Sequence, residues 1–207
     1  LTSRLFETTG ARATHGALRL DRYWRNLRTQ TLHDPVDYKL QELDESTHYG
    51  RLLNRVGHNK RILELGSSTG FLTEAMINHF ACQVVGVEID SDAAKEARAK
   101  GHEVHVLDLD KTDLSEHFKG QKFDVALLAD VLEHLRDPAE TLKQIKGLLS
   151  PNGKIVSSIP HVAHGDIRLS LLAGRLPYRA VGLLDHTHMR FFTIALVEQL
   201  YKECGYN

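Results

Sequence analysis

Between residues 61 and 159, five short apolar runs alternate with stretches of helical period, and that alternation leaves few folds open. The runs cover 61–65, 83–89, 103–107, 123–129 and 154–159. Helices are expected over about 71–79, 92–100 and 138–149, with Asp90 or Ser91 opening the second. Gly101 follows that helix at the position a C-cap favours, and Pro138 sits where a first helical turn tolerates proline. Residues 150–153, Ser-Pro-Asn-Gly, read as a turn. Strands alternating with helices of this length build a parallel sheet covered on both faces. The expected class is therefore α/β, a doubly wound parallel sheet.

Flanking this core, Ser46 or Thr47 could cap a short helix reaching about Val56, ended by Gly57. A helix-like stretch before Ala173 and a final helix over 193–204 are also expected. A further helix over 19–32 would put Leu20, Trp24 and Leu27 on one face, with Asp34-Pro35 breaking it.

Composition narrows the function. The 207 residues are 42% hydrophobic with a formal net charge of -1, so no global attraction to nucleic acid or an anionic membrane is implied. No apolar run has the length of a membrane span and no signal peptide is visible. Cys82 and Cys204 form no metal-type pair and read as reduced thiols of a cytoplasmic protein.

The ligand signal lies where the first strand meets the first helix, in Glu64-Leu-Gly-Ser-Ser-Thr-Gly70. Gly66 allows a sharp turn and a close backbone approach, and the helix behind it presents free N–H groups. In an open α/β sheet, ligands sit beyond the carboxyl ends of the strands. Glu88 ends the second strand about twenty residues on, placed to accept hydrogen bonds from ribose hydroxyls. Asp108 ends the third and could border an adenine, with Leu109 supplying apolar contact. A nicotinamide dinucleotide is disfavoured, because Ser68 breaks the G-x-G-x-x-G pattern and Ala129-Asp-Val-Leu-Glu-His134 is no dehydrogenase signature.

Four motifs in order, E-L-G-x-x-x-G, V-x-x-V-E-I-D, F-D-V-x-x-x-x-D-V-L-E-H-L-x-D-P and L-x-P-x-G-K-I-V-x-S-I-P, resemble the class I S-adenosylmethionine (SAM)-dependent methyltransferases. The resemblance implies a Rossmann-like fold and SAM as cofactor. It places Glu64, Gly66, Ser67, Thr69 and Gly70 at the methionine end, Glu88 on the ribose, and Ile89 and Leu109 beside the adenine. Asp108 would accept from the adenine amino group, and Ala129 and Asp130 would lie beside the sulfonium. Residues 46–207 would form the methyltransferase domain, with 160–192 as a substrate-cover insertion. The cover resembles that of a bacterial subgroup found beside glycosyltransferases, which points to a hydroxyl oxygen on a sugar, polysaccharide precursor or secondary metabolite.

An oxygen nucleophile must lose a proton, which calls for a base or a metal. His134, His186 and His164 are the candidate bases. Alternatively Asp130, Glu133 and His134, with a histidine from 161–188, hold a divalent cation such as Mg2+. The D-x-x-E-H spacing resembles the E-x-x-E-H ligands of some 2'-O RNA methyltransferases and ubiquinone-pathway O-methyltransferases. A third reading leaves these histidines packing under the cover, with Asp185, His186, His188 and Arg190 pinning it to the sheet.

The ends look different. Residues 5–39 resemble the C-terminal tail of acyl-CoA dehydrogenase-like flavin monooxygenases, with His33 as the flavin-side histidine, so 1–45 reads as a helical tail of fusion origin. At the other end, the resemblance implies two more strands after Gly205-Tyr206, so a longer chain or a partner is expected to cover an open sheet edge. The principal expectation is a methyltransferase for a small-molecule acceptor. A non-catalytic SAM-binding domain of a larger fused protein and a metal-dependent RNA 2'-O-methyltransferase are the alternatives.

Overall fold

The computed structural model describes residues 47–206 except Pro177, Ala180 and Val181. The expected helix over 19–32, the domain boundary at 45 and the tail with His33 lie outside the described residues.

Helix α1, His48–Val56, starts where Thr47 accepts the Gly50 N–H at 3.0 Å, a cap contributing about 0.5–2 kcal/mol. Then follow β1 Arg61–Leu65, α2 Phe71–Phe80, β2 Gln83–Glu88, α3 Ser91–Ala99, β3 Glu103–Val106, α4 Leu114–His117 and β4 Phe123–Ala129. A short 3-10 turn, Leu132–His134, leads to α5 Pro138–Leu148, β5 Leu149–Ser158, α6 Gly165–Leu172 and α7 Ile194–Glu203. The strands form one parallel sheet in the order β3-β2-β1-β4-β5. Chain order reverses beside β1, which puts the crevice for a ligand at the ends of β1 and β4.

Successive strand residues point to opposite faces, and both faces are buried. On one side Ile62, Val84, Val125 and Leu127 pack with Leu52, Leu53 and Val56 of α1 and Leu72, Met76 and Phe80 of α2. On the other, Leu63, Leu65, Val85 and Val87 pack with Phe118, Leu142, Ile145 and Leu148. This is the doubly wound fold expected from the alternation.

The 150–153 turn needs a correction. Those residues lie inside β5: Leu149 pairs with Phe123, and pairing resumes at Lys154 with Val125 after a register shift. Pro151 has no N–H for a ladder, so the strand is interrupted there without ending. The short helix α4 carries no strong pattern in the sequence; Asp113 caps it by accepting the Glu116 N–H at 3.1 Å. Among the described residues, β3 and β5 are the sheet edges, and no helix is long and apolar enough to cross a membrane.

Candidate active site

The turn after β1 is bent by residues in the left-handed region: Gly66 at φ 75°, Ser68 at 49° and Gly70 at 84°. Gly66 and Ser67 both donate to the Val87 carbonyl, at 2.8 and 3.0 Å, which pins the turn to the end of β2. The approach is close enough that a Cβ on Gly66 would lie 2.8 Å from Val131 Cγ2. A Cβ on Gly86 would meet the Ser67 hydroxyl at the same distance. That hydroxyl is buried with no hydrogen-bond partner among the described residues. No side chain caps α2, so its first-turn N–H groups keep their capacity to bind a polar ligand.

Two acids lie under this turn. Glu88 accepts three backbone N–H groups: Ser68 at 2.7 Å, Ile89 at 2.8 Å and Asp90 at 2.9 Å. Glu64 is 2% exposed and accepts from the Thr73 hydroxyl. Burial pushes its carboxyl up to about 8; the Thr73 hydrogen bond opposes this and the nearby Glu88 charge adds to it. Glu64 is therefore largely protonated near neutrality, which the sequence does not reveal. Thr69 offers its carbonyl to Lys100 at 2.9 Å.

The adenine-side candidates line the ends of β2 and β3. Ile89 is 65% exposed, an apolar side chain that the described residues leave largely uncovered. Leu109 is half-buried against the core. Asp108 pairs with Lys111 at 2.7 Å and accepts the Asp110 N–H at 3.0 Å; these bonds hold its carboxyl below the ordinary range.

Beyond β4, half-buried Ala129 leads to Asp130, a non-glycine residue at φ 55°. Ser158 at the end of β5 holds it: the Asp130 N–H donates to the Ser158 carbonyl and hydroxyl oxygen, both at 3.1 Å, and Ser158 Oγ donates back to Asp130 Oδ1 at 2.9 Å. The other carboxylate oxygen lies 3.9 Å from His48 Nε2, on the first turn of α1. Tyr49 packs edge-on to Phe71, and burial and Asp130 raise its phenol above the ordinary value. The site therefore recruits His48 and Tyr49, whose sequence signal is only a capped helix.

Glu133, His134 and His188 form a second group, each offering a ligand atom within 4.8 Å of the others. Glu133 is 1% exposed and neither carboxylate oxygen has a partner among the described residues. Burial, with Asp130 adding, pushes its carboxyl up to about 8. His188 Nδ1 is likewise buried and unpartnered, and burial foremost, then His134, lowers its pKa. His134 Nδ1 lies 3.2 Å from the Thr187 hydroxyl, and its ring meets His188 edge-on. The backbone carbonyl of Glu133 accepts from Met189 and Arg190 at 2.9 and 3.0 Å, fastening residues 189 and 190 to the 3-10 turn that follows β4.

Of the sequence candidates, His134 and Glu133 come together, and His188 joins them. Asp130 does not; it is turned to Ser158 and His48. His186 stacks on Tyr178 with ring centroids 5.9 Å apart, and His164 caps α6 by accepting the Asp166 N–H at 3.4 Å.

A family model described as a methyltransferase domain matches residues 37–207. The chain is 27% identical over 195 residues to the ubiquinone biosynthesis O-methyltransferase of Neisseria meningitidis serogroup C, covering 89% of this chain and 76% of that protein. A SAM-dependent methyltransferase structure from Thermotoga maritima aligns with a TM-score of 0.59 at 21% identity, covering 83% of this chain and 77% of the other. A short stretch of 45 residues is 73% identical to a probable FMNH2-dependent monooxygenase of Pseudomonas putida, 22% of this chain and 11% of that protein. The chain thus spans about a tenth of the length of the monooxygenases it matches.

Proposed function

The chain belongs to the SAM-dependent methyltransferase family, and from that premise we propose that it moves a methyl group from SAM to a hydroxyl oxygen of a small-molecule acceptor. The observation that carries this is the turn from Gly66 to Gly70, drawn down onto the end of β2 and tied to Glu88. The residues fit a nucleoside with an amino-acid tail. Ser67 brings an orphaned hydroxyl, the α2 N-terminus is uncapped, and Ile89 is an exposed apolar platform.

When bound, SAM supplies a methyl group already activated on sulfur, so the protein's work is mainly alignment. In this reading Glu64, Gly66, Ser67, Thr69 and Gly70 receive the methionine end. Glu88 faces the ribose, with most of its acceptor capacity already engaged by the N–H groups of Ser68 in the turn and of Ile89 and Asp90 after β2. Ile89 and Leu109 flank the adenine, Asp108 accepts from its amino group, and Ala129 and Asp130 border the acceptor. Residues 160–192 cover the acceptor, held down at Glu133 by Met189 and Arg190. Among the three candidate bases, His134 is favoured because it stands beside Glu133 in the 3-10 turn after β4, whereas His186 and His164 are engaged elsewhere in the cover.

A second mechanistic reading draws on the Glu133–His134–His188 group. Two imidazoles and one carboxylate suit Zn2+, Mn2+ or Co2+ better than Mg2+, which prefers oxygen ligands. A cation there would supply positive charge that eases deprotonation of an acceptor hydroxyl. Glu133 would then be the anionic ligand, and its unpartnered oxygens fit that role.

The test is calorimetric titration with S-adenosylhomocysteine, NADH and FMN, repeated on Glu88→Ala. Binding of S-adenosylhomocysteine alone, lost in the variant, is expected. Absence of binding by a folded protein would overturn the reading for this chain. Binding without turnover across hydroxylated acceptors, with and without Mn2+, would favour a non-catalytic SAM-binding domain.

A further inference from the structure

A second pair of imidazoles stands apart from the Glu133 group, at the β3 edge of the sheet. His105, on β3, and His117, at the end of α4, approach through ring nitrogens: His105 Nδ1 and His117 Nε2 are 3.1 Å apart. Their rings are nearly perpendicular, at 87°, and both lie edge-on to Phe118, which is fully buried. The far nitrogen of His105, Nε2, faces the Glu103 carboxylate at 3.5 Å.

From this geometry we propose that His105 and His117 form a two-histidine site for a borderline divalent cation of the Zn2+ or Ni2+ class, with Glu103 as the orienting carboxylate. Zn–N bonds of about 2.0–2.1 Å at tetrahedral angles separate two ligand nitrogens by about 3.3 Å, close to the separation here. Glu103 would bias the tautomer of His105. A carboxylate at Nε2 favours the proton there and leaves the Nδ1 lone pair of His105 turned toward His117, the carboxylate–histidine–metal arrangement of built sites. Without metal, the two ring nitrogens share one hydrogen bond whose direction follows the tautomers. With a cation bound, His117 would take the Nδ1–H tautomer and present the Nε2 lone pair, so that both histidines coordinate as neutral imidazoles.

The packing makes the pair more than a chance encounter of mobile surface side chains. Both rings pack edge-on against Phe118, and His105 is held in register by the β2–β3 ladder, opposite Val87. His117 is exposed, so its ring can make the small turn that metal binding requires, and water completes the coordination. The cation would tie the four-residue strand β3 to α4, at an edge of the sheet.

The probe is Zn2+, with Ni2+ as a second ion. Because the Glu133 group could also take such ions, the titration is run on a folded Glu133→Ala/His188→Ala background. Calorimetry is expected to show one equivalent bound there, abolished by either His105→Ala or His117→Ala, with circular dichroism unchanged. Glu103→Ala should weaken that binding about 10-fold or more without abolishing it, the mark of an orienting carboxylate that scattered surface histidines would not show. No binding on the background, or binding that survives His117→Ala, overturns the proposal. If the background variant fails to fold, the same substitutions are made in the unaltered chain. The His105 and His117 ring-proton NMR signals are then followed on adding Zn2+, and signals that do not move overturn it equally.

Discussion

Glu88 accepts the backbone N–H of Ser68 at 2.7 Å, so the acid at the end of β2 holds the glycine turn that lies twenty residues before it. Its carboxylate also accepts from Ile89 and Asp90, which makes Glu88 a structural tie as well as a ribose candidate. Glu88→Ala leaves three N–H groups without their acceptor, and a loss of about 1–3 kcal/mol in urea unfolding is expected. Glu88→Gln keeps an acceptor oxygen and should lose less stability, while S-adenosylhomocysteine affinity falls in both. Equal stability of the alanine and glutamine variants would contradict the tie.

Gly66 is required twice over, by its φ of 75° and by Val131 Cγ2 at 2.8 Å from a Cβ built there. Gly66→Ala is expected to cost about 1–3 kcal/mol and to weaken S-adenosylhomocysteine binding. Val131→Ala removes the clash but not the backbone strain. The double variant should therefore recover part of the loss relative to the sum of the single variants. Simple additivity in the double-mutant cycle would show that the steric contact contributes nothing.

The raised carboxyl of Glu64 makes stability depend on pH. Its ordinary value is 4.5 and its folded value is about 8. Between these limits the folded state keeps a proton that the unfolded state has lost, so stability falls as pH rises and levels off above about 8. One such proton corresponds to about 1.4 kcal/mol per pH unit. Glu64→Gln removes this contribution, so its stability relative to the unaltered protein should rise between pH 5 and 7.5. Urea midpoints of the two proteins shifting in parallel over that interval would count against a protonated Glu64.

At the Glu133 group, the buried and unpartnered carboxylate is the feature a cation would relieve. Thermal unfolding in the presence of Mn2+ or Zn2+ is expected to move upward by a few degrees, with Mg2+ giving a smaller shift, in accord with the donor set. His188→Ala should abolish the Mn2+ response. A Mn2+ response unaltered in His188→Ala would place that cation elsewhere.

The β-strands at 61–65 and 123–129 and the turn between Gly66 and Gly70 follow from local chemistry: continuous apolar runs, glycines where the chain must turn, and a proline at the head of α5. Such features act over a few residues, so the sequence alone determines them, and their order specifies a doubly wound sheet. Local rules also read Ser46 or Thr47, and Thr193, as helix starts, and the structure caps the two helices at Thr47 and Thr193. They fail at residues 150–153, where pairing with β4 on both sides absorbs a turn into a strand. Partnerships between distant residues belong to the tertiary structure. Helix packing brings His48 to Asp130, the fastening of residues 189 and 190 to Glu133 brings His188 to His134, and the packing on Phe118 brings His117 to His105. The pKa shifts of Glu64 and Glu133 arise the same way, because desolvation depends on what covers a carboxyl, and residues far apart in the chain supply that cover.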